Sequence, residues 1–211
     1  MPFSSVLGAS SVIKPGVCTS TTRPSVPFEG QLIYETDTDR VAAYNGSAWD
    51  YTHSSGLVLI SSTTIGSAVS SVTVSNAFSA TYDNYKIIIS GGTCSGSETD
   101  LQLTLGSQVS GYKSQQAVYQ YNTSNPIFLA PTTQVPIGRA DVDGLTADAT
   151  LISPNLAKHT FIHSACGSDT FATTVFATSN SNTQFTAFTV TIGISGGTMT
   201  GGTIKVYGYK N

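Results

Sequence analysis

The stretch FTAFTVTIGIS, residues 185–195, decides the fold class. Phe188, Val190, Ile192 and Ile194 fall on one side of an extended chain, and Thr189, Thr191 and Gly193 fall on the other. A period of two is the mark of a strand with one face on a core and the other toward water or a partner. Eight further runs read as strands around it: LVLISSTTI (57–65), VSSVTVS (69–75), YKIIISG (85–91), LQLTLGS (101–107), AVYQY (117–121), KHTFIHSAC (158–166), FATTVFATS (171–179) and TIKVYGYK (203–210). Each is bounded by Gly, Ser, Asn or Pro. Their spacing predicts an all-β chain whose residues 56–211 form an antiparallel β-sandwich or jelly roll of about eight strands.

Composition agrees. Of 211 residues only 10% are charged, while 29 Ser and 30 Thr stand beside 20 Gly, so hydroxyls and backbone rather than ions solvate the surface. Ser, Thr and Gly are poor helix formers, which excludes a helical bundle, a coiled coil and a doubly wound α/β enzyme. Ten Tyr and nine Phe within 39% apolar residues fill a core, which excludes disorder. The net charge is −3, and the nine basic residues are scattered singly from Lys14 to Lys210, so nothing is built to neutralise nucleic-acid phosphates. Cys18, Cys94 and Cys166 are odd in number and more than seventy residues apart, a pattern of free thiols in a reducing compartment rather than of disulfides or zinc. No run approaches the ~18 apolar residues of a membrane span. The start, MPFSSVLGASSVIKPG, lacks the basic and apolar blocks of a secretory signal, so folding in a cytoplasm without membrane insertion is expected.

Three zones organise the chain. Residues 1–26 are Ser, Thr, Pro and Gly with isolated apolar residues and read as an extended anchoring arm. Residues 27–55 read as a small β-hairpin unit: QLIYE (31–35) and RVAAY (40–44) flank the turn TDTD, and Asn45-Gly46 makes a second turn before Trp49. An isolated hairpin is marginal in water, so Leu32, Ile33, Tyr34, Tyr44 and Trp49 are expected to pack on the next domain or on copies of the chain. Residues 56–211 form the large β domain, in which 122–157, rich in Pro and Asp, read as long connections with at most one short strand.

The segment PSVPFEGQLIYETDTDRVAAYNGSAW resembles one common in tailed-bacteriophage virion proteins, particularly tail fibres and other appendages, where it precedes a terminal β domain. The matching positions are Pro24, Pro27, Gly30, Gln31, Ile33, Tyr34, Thr36, Asp37, Tyr44, Asn45, Gly46 and Trp49. IGSAVSSVTVSNAFSATYDNYKIIISG is similar to the opening of a phage fibre-type domain, and GGTIKVYGYKN to its closing strand. The resemblance implies a virion protein assembled in the host cytoplasm, a homotrimer that joins another virion protein through residues 1–26. Long tail fibres also carry a shaft of heptads, collagen-like repeats or β-helix, and this chain has none. The expectation narrows to a short tail fibre or spike that binds a host surface glycan, or alternatively to a capsid decoration or head-fibre protein gripping capsomers with its arm.

Residues able to carry chemistry are few. His159 and His163 would share a strand face, but no carboxylate or thiol completes a metal-ligand spacing around them. Asp141, Asp143 and Gly144 in ADVDGLTAD resemble the start of a calcium loop without its alternating ligands or closing Glu, so an Asx-stabilised turn is expected. The close carboxylate pairs are Asp37 with Asp39 in a turn and Glu98 with Asp100 in a loop; neither is placed across a sugar cleft by sequence. Nucleophile elbow, phosphate loop and His-Glu-x-x-His are all absent, so no enzymatic activity, catalytic residue, metal or cofactor is expected. Tyr112, Tyr119 and Tyr121 in GYKSQQAVYQYN are either a receptor-facing stacking platform for host sugars or buried sheet positions.

Overall fold

The structure is a computed structural model and describes residues 15–52, 56–121, 127–129 and 133–210. Every regular element among them is a strand. The chain divides into two units, Met1–Ser55 and Gly56–Asn211.

The smaller unit is a four-stranded sheet of β1 (Gly16–Cys18), β2 (Leu32–Glu35), β3 (Arg40–Tyr44) and β4 (Trp49–Tyr51), ordered as numbered. The turns anticipated at TDTD and Asn-Gly join β2 to β3 and β3 to β4, with Asn45 Oδ1 accepting the backbone N–H of Ser47 and Ala48 at 3.0 and 2.8 Å. Of the expected arm, residues 1–14 lie outside the described residues. Residues 15–26 are not free: β1 pairs in parallel with β2, Gly16 opposite Ile33 and Cys18 opposite Glu35.

The larger unit contains β5 (Leu57–Thr64), β6 (Ser71–Val74), β7 (Asn84–Gly91), β8 (Thr93–Cys94), β9 (Thr99–Leu105), β10 (Tyr112–Gln120), β11 (Ile127–Leu129), β12 (Val135–Ala140), β13 (Leu145–Ile152), β14 (Phe161–Gly167), β15 (Phe171–Ser179), β16 (Phe188–Ile192), β17 (Met199–Thr200) and β18 (Thr203–Tyr209). Twelve of these belong to one antiparallel sheet, and β8 pairs with β17 in a separate ladder. That is more than the eight or so strands expected. The surplus comes partly from 122–157, which holds β11, β12 and β13 where long connections were anticipated. VPIGRA hides its strand character behind Pro136 and Gly138, which sit at a bulge in the β12–β9 pairing. LTADATLI alternates correctly, but its inward positions include Ala147 and Ala149, too small to register as a hydrophobic run.

The sheet forks at β13. One edge of β13 pairs with β7 along residues 145–152. On the other edge, Leu145–Ala147 pair with β12 and Ala149–Ile152 pair with β14. Beyond β7 lie β18 and β5; beyond β14 lie β15, β10 and β11; beyond β12 lie β9, β16 and β6. The inner faces of all three branches share one core that includes Ile87 and Ile89, Leu101 and Leu103, Val175, Phe188 and Val206. The sheet therefore wraps round its own interior like a sandwich or nearly closed barrel. Phe188 and Val190 point inward as the alternation of 185–195 requires, while Ile192 is only half-buried and the strand ends there. Phe188 stacks on Phe78 at 5.6 Å, and Phe78 meets Tyr85 edge-on at 4.9 Å. Tyr85, fully buried, satisfies its hydroxyl by donating to Ser79 O and accepting from Ser79 N–H, each at 2.7 Å.

Two glycine pairs let the chain leave the large sheet for the β8–β17 ladder. Gly91 ends β7 and Gly92 follows it, Gly201 and Gly202 precede β18, and all four have positive φ, between 69° and 84°. A Cβ on Gly202 would lie 2.6 Å from the Gly91 carbonyl oxygen, so no side chain fits where the two corners cross. Gly196 also has positive φ (75°) but opens on empty space. Gly202→Ala is therefore expected to cost about 2–4 kcal/mol of unfolding free energy, against about 1 kcal/mol for Gly196→Ala, in urea titrations of the two variants.

Candidate functional site

In the smaller unit, Ile33 and Ala42 face each other across β2 and β3 and form the only pair of apolar side chains buried there among the described residues. Of the five residues expected to pack outward, Ile33 is thus used internally. Leu32 is 40% exposed, while Tyr34, Tyr44 and Trp49 are half-buried, with Tyr44 and Trp49 in ring contact at 5.4 Å. Beside Ile33, the Glu35 side chain is fully buried and accepts from Arg23 Nε (2.5 Å), Thr38 Oγ1 (3.0 Å) and Tyr51 OH (3.0 Å). A carboxylate with three donors keeps its charge out of water without being left unpaired. Asp37 accepts from the Ser20 N–H (2.9 Å) and hydroxyl (2.5 Å). Residues 20–23 are thereby fastened to the hairpin by two carboxylates, and Asp39 is taken by Tyr34 OH at 2.8 Å. These bonds hold the Glu35 and Asp37 carboxyls below their ordinary pKa, Glu35 chiefly through Arg23 and Asp37 chiefly through Ser20. A shallow surface groove between Tyr34, Asp39, Arg40, Val41 and Tyr51 is closed on one side by the Arg40 guanidinium, which lies 4.9 Å over the Tyr51 ring.

The second carboxylate pair of the sequence is also committed. Arg139 on β12, 8% exposed, reaches Asp100 Oδ1 at 2.8 Å and Glu98 Oε1 at 3.1 Å. Gln116 of β10 donates to the same Asp100 oxygen at 2.9 Å, and the Ser168 hydroxyl donates to Glu98. Arg139 also lies 5.0 Å over the Phe171 ring. Both acids serve a guanidinium that joins β9, β10, β12 and the β14–β15 turn, so this cluster braces the larger unit from within.

The three tyrosines separate. Tyr112 is 4% exposed, which corrects its place among receptor-facing residues: its hydroxyl accepts from Leu105 N–H (2.8 Å) and donates to Gln108 O (3.1 Å), closing the β9–β10 turn. Burial raises its pKa. Tyr119, on the outer face of β10, is 46% exposed, and Tyr121, just past the strand's end, 61%. There Gln115, Ala117, Tyr119, Thr174 and Phe176 line a shallow open groove. His159 precedes β14 instead of sharing a strand face with His163. His163 stands on the outer face of β14, stacked at 4.8 Å on Phe176 of β15. Phe161, Phe176 and Ile152 on this face, exposed by 45–63%, were missed by sequence reading. The signal was present in FATTVFATS and KHTFIHSAC, where Phe176 and Phe161 stand out of phase with the buried Val175 and Ile162.

Asp141 Oδ1 accepts the N–H of Asp143 (2.8 Å) and Gly144 (2.7 Å), an Asx turn between β12 and β13. Among the described residues no three His, Cys, Asp or Glu side chains converge on a metal position. Burial pushes the Cys94 and Cys166 thiols up, which keeps them protonated and poor nucleophiles.

Two outcomes follow. Glu35 has a lowered folded pKa, so its stabilisation is complete above the ordinary carboxylate range and is lost as pH falls through the lowered value. Trp49 is the chain's single tryptophan, so its emission should report an acid transition of the smaller unit, flattened in Glu35→Gln, which is also less stable at neutral pH. Arg139→Met leaves two largely buried carboxylates without their counter-charge and is expected to cost about 3 kcal/mol in denaturant unfolding of the larger unit. No family model matches the chain, and neither does any curated protein or solved structure.

Proposed function

We propose that the chain is a structural protein of a tailed-bacteriophage virion, a homotrimeric short tail fibre or spike whose larger unit is a jelly-roll-type sandwich that meets the host surface. The observation that carries this reading is the segment from Pro24 to Trp49: the residues that resemble phage appendage proteins are those that build the four-stranded unit, from the Gly30 turn through β2 and β3 to the Tyr44–Trp49 contact. Leu32 and Tyr34 on one face of that sheet, and half-buried Tyr44 and Trp49 beside Ile33 and Ala42 on the other, offer apolar surface to neighbouring copies, and the Thr- and Ser-rich exterior suits a particle whose stability must not rest on ion pairs that salt screens. Tyr119 and Tyr121 supply exposed rings of the kind on which sugars stack.

The alternative is a capsid decoration or head-fibre protein held through its N-terminal segment. It is favoured by the way residues 15–26 fold back on the hairpin, which makes a compact plug rather than the start of a shaft. Copies per particle, measured by quantitative mass spectrometry of purified virions against the major capsid protein, separate the two. A few to a few tens of copies is the expected result. Hundreds would transfer the protein to the shell, and its absence from virions would overturn both readings.

A further inference from the structure

The outer face of β10, β15, β14, β13 and β7 lies opposite the core, and the strand register sets its relief. One row across the strands runs Gln115, Phe176, His163, Thr150, Lys86, each directly opposite the next. The row to one side carries Phe161 opposite Thr178 and Ile152. The row to the other side carries Ala117, Thr174 and Ala165. An aromatic ridge of Phe161, Phe176 and His163 therefore stands beside a trough of small side chains, and the groove between Tyr119 and Phe176 is one end of that trough.

We propose that this face is the surface on which copies of the chain pack against one another. Its two central strands, β14 and β15, contain no Asp, Glu, Lys or Arg. Charge enters only toward the margins, as Lys113 on β10 and the Lys86–Asp148 pair at 2.7 Å on β7 and β13. An uncharged aromatic centre with a polar rim is the anatomy of a protein–protein interface, whereas a solvated sheet face carries polar side chains throughout. Phe161 is 55% and Phe176 63% exposed, so the single chain leaves its largest outward side chains in water.

The size also fits. Five strands at ~4.8 Å spacing and six residues of rise at ~3.4 Å give a flat footprint of about 480 Å² per copy, more once upright side chains are counted. Two such faces reach the roughly 1,000 Å² that a specific interface requires. Ridge and trough lie side by side on one face, so a second copy supplies the relief that fills each. The inference rests on the homo-oligomeric part of the proposed function and adds the surface that makes it.

The test is the mass of the full chain by light scattering and its dissociation by sedimentation, for the wild type, Phe176→Lys, Phe161→Lys and, as a control off the sheet, Val109→Lys. The wild type and Val109→Lys should assemble. Phe176→Lys and Phe161→Lys should associate at least about thirtyfold more weakly, with an unchanged far-ultraviolet circular dichroism spectrum, because hot-spot aromatics carry interfaces. Should either fail to fold, Gln115→Arg, at an exposed position in the ridge row, replaces it and should weaken assembly about tenfold. A wild type that stays monomeric at tens of micromolar leaves the face to a glycan or another protein and overturns the proposal. Assembly unaffected by both lysines overturns it while leaving oligomerisation standing. A dimer rather than a trimer that the lysines still break keeps the face and removes only the threefold reading.

Discussion

Strand β13 must satisfy two different neighbours along one edge, and the architecture of the larger unit depends on how it does so. A buried backbone cannot leave its N–H and C=O groups unpaired. When β14 takes residues 149–152, the edge at 145–147 requires a second strand. β12 supplies it by approaching closely enough that a Cβ on Gly138 would lie 2.6 Å from the Ala147 Cβ. The fork is closed by the Ser164 hydroxyl of β14 donating to Ile137 O of β12 at 2.5 Å. From there β12 carries the sheet to β9, β16 and β6, and the core is enclosed. Arg139, beside Gly138, braces the same junction through Asp100 and Glu98.

The smaller unit solves a different problem. Among its described residues one buried apolar pair, Ile33 with Ala42, gains little from the hydrophobic effect, about 25 cal/mol for each Å² removed from water. Its order is supplied by polar groups with specific partners: Glu35 under Arg23, Tyr51 and Thr38, and Asp37 against Ser20. Such bonds are directional, so they specify how residues 20–23 lie on the hairpin more sharply than apolar contact would. They also tie that unit's stability to ionised Glu35 and Asp37, whereas the larger unit is built round a core of aliphatic and aromatic side chains.

Few charges and many hydroxyls leave the larger unit with a surface solvated mainly by neutral groups. On such a surface an uncharged aromatic ridge stands out as a place of contact. Tyr119 and Tyr121 lie at its edge, so self-packing at the centre and recognition of another molecule at the margin are compatible uses of one sheet.

The nine strand runs read within residues 57–121 and 158–210, the hairpin with its TDTD and Asn-Gly turns, and the all-β class were legible because alternation and turn chemistry are local properties of the chain, whereas the two-residue β8 and β17 carry no such pattern. So was the buried phase of Phe188 and Val190. Three things waited for the tertiary structure. β12 and β13 emerged only when a bulge accommodated Pro136 and when neighbours made Ala147 and Ala149 the right size. Glu35 was read as part of a strand and not as a buried anion, because its partner Arg23 is twelve residues away in the irregular segment between β1 and β2. The fates of Tyr112, Tyr119, Phe161 and Phe176 depended on which side of each strand the core occupies. Period two separates the two faces of a strand; only pairing between strands distant in sequence, such as β9 with β16 or β7 with β18, determines which face is covered.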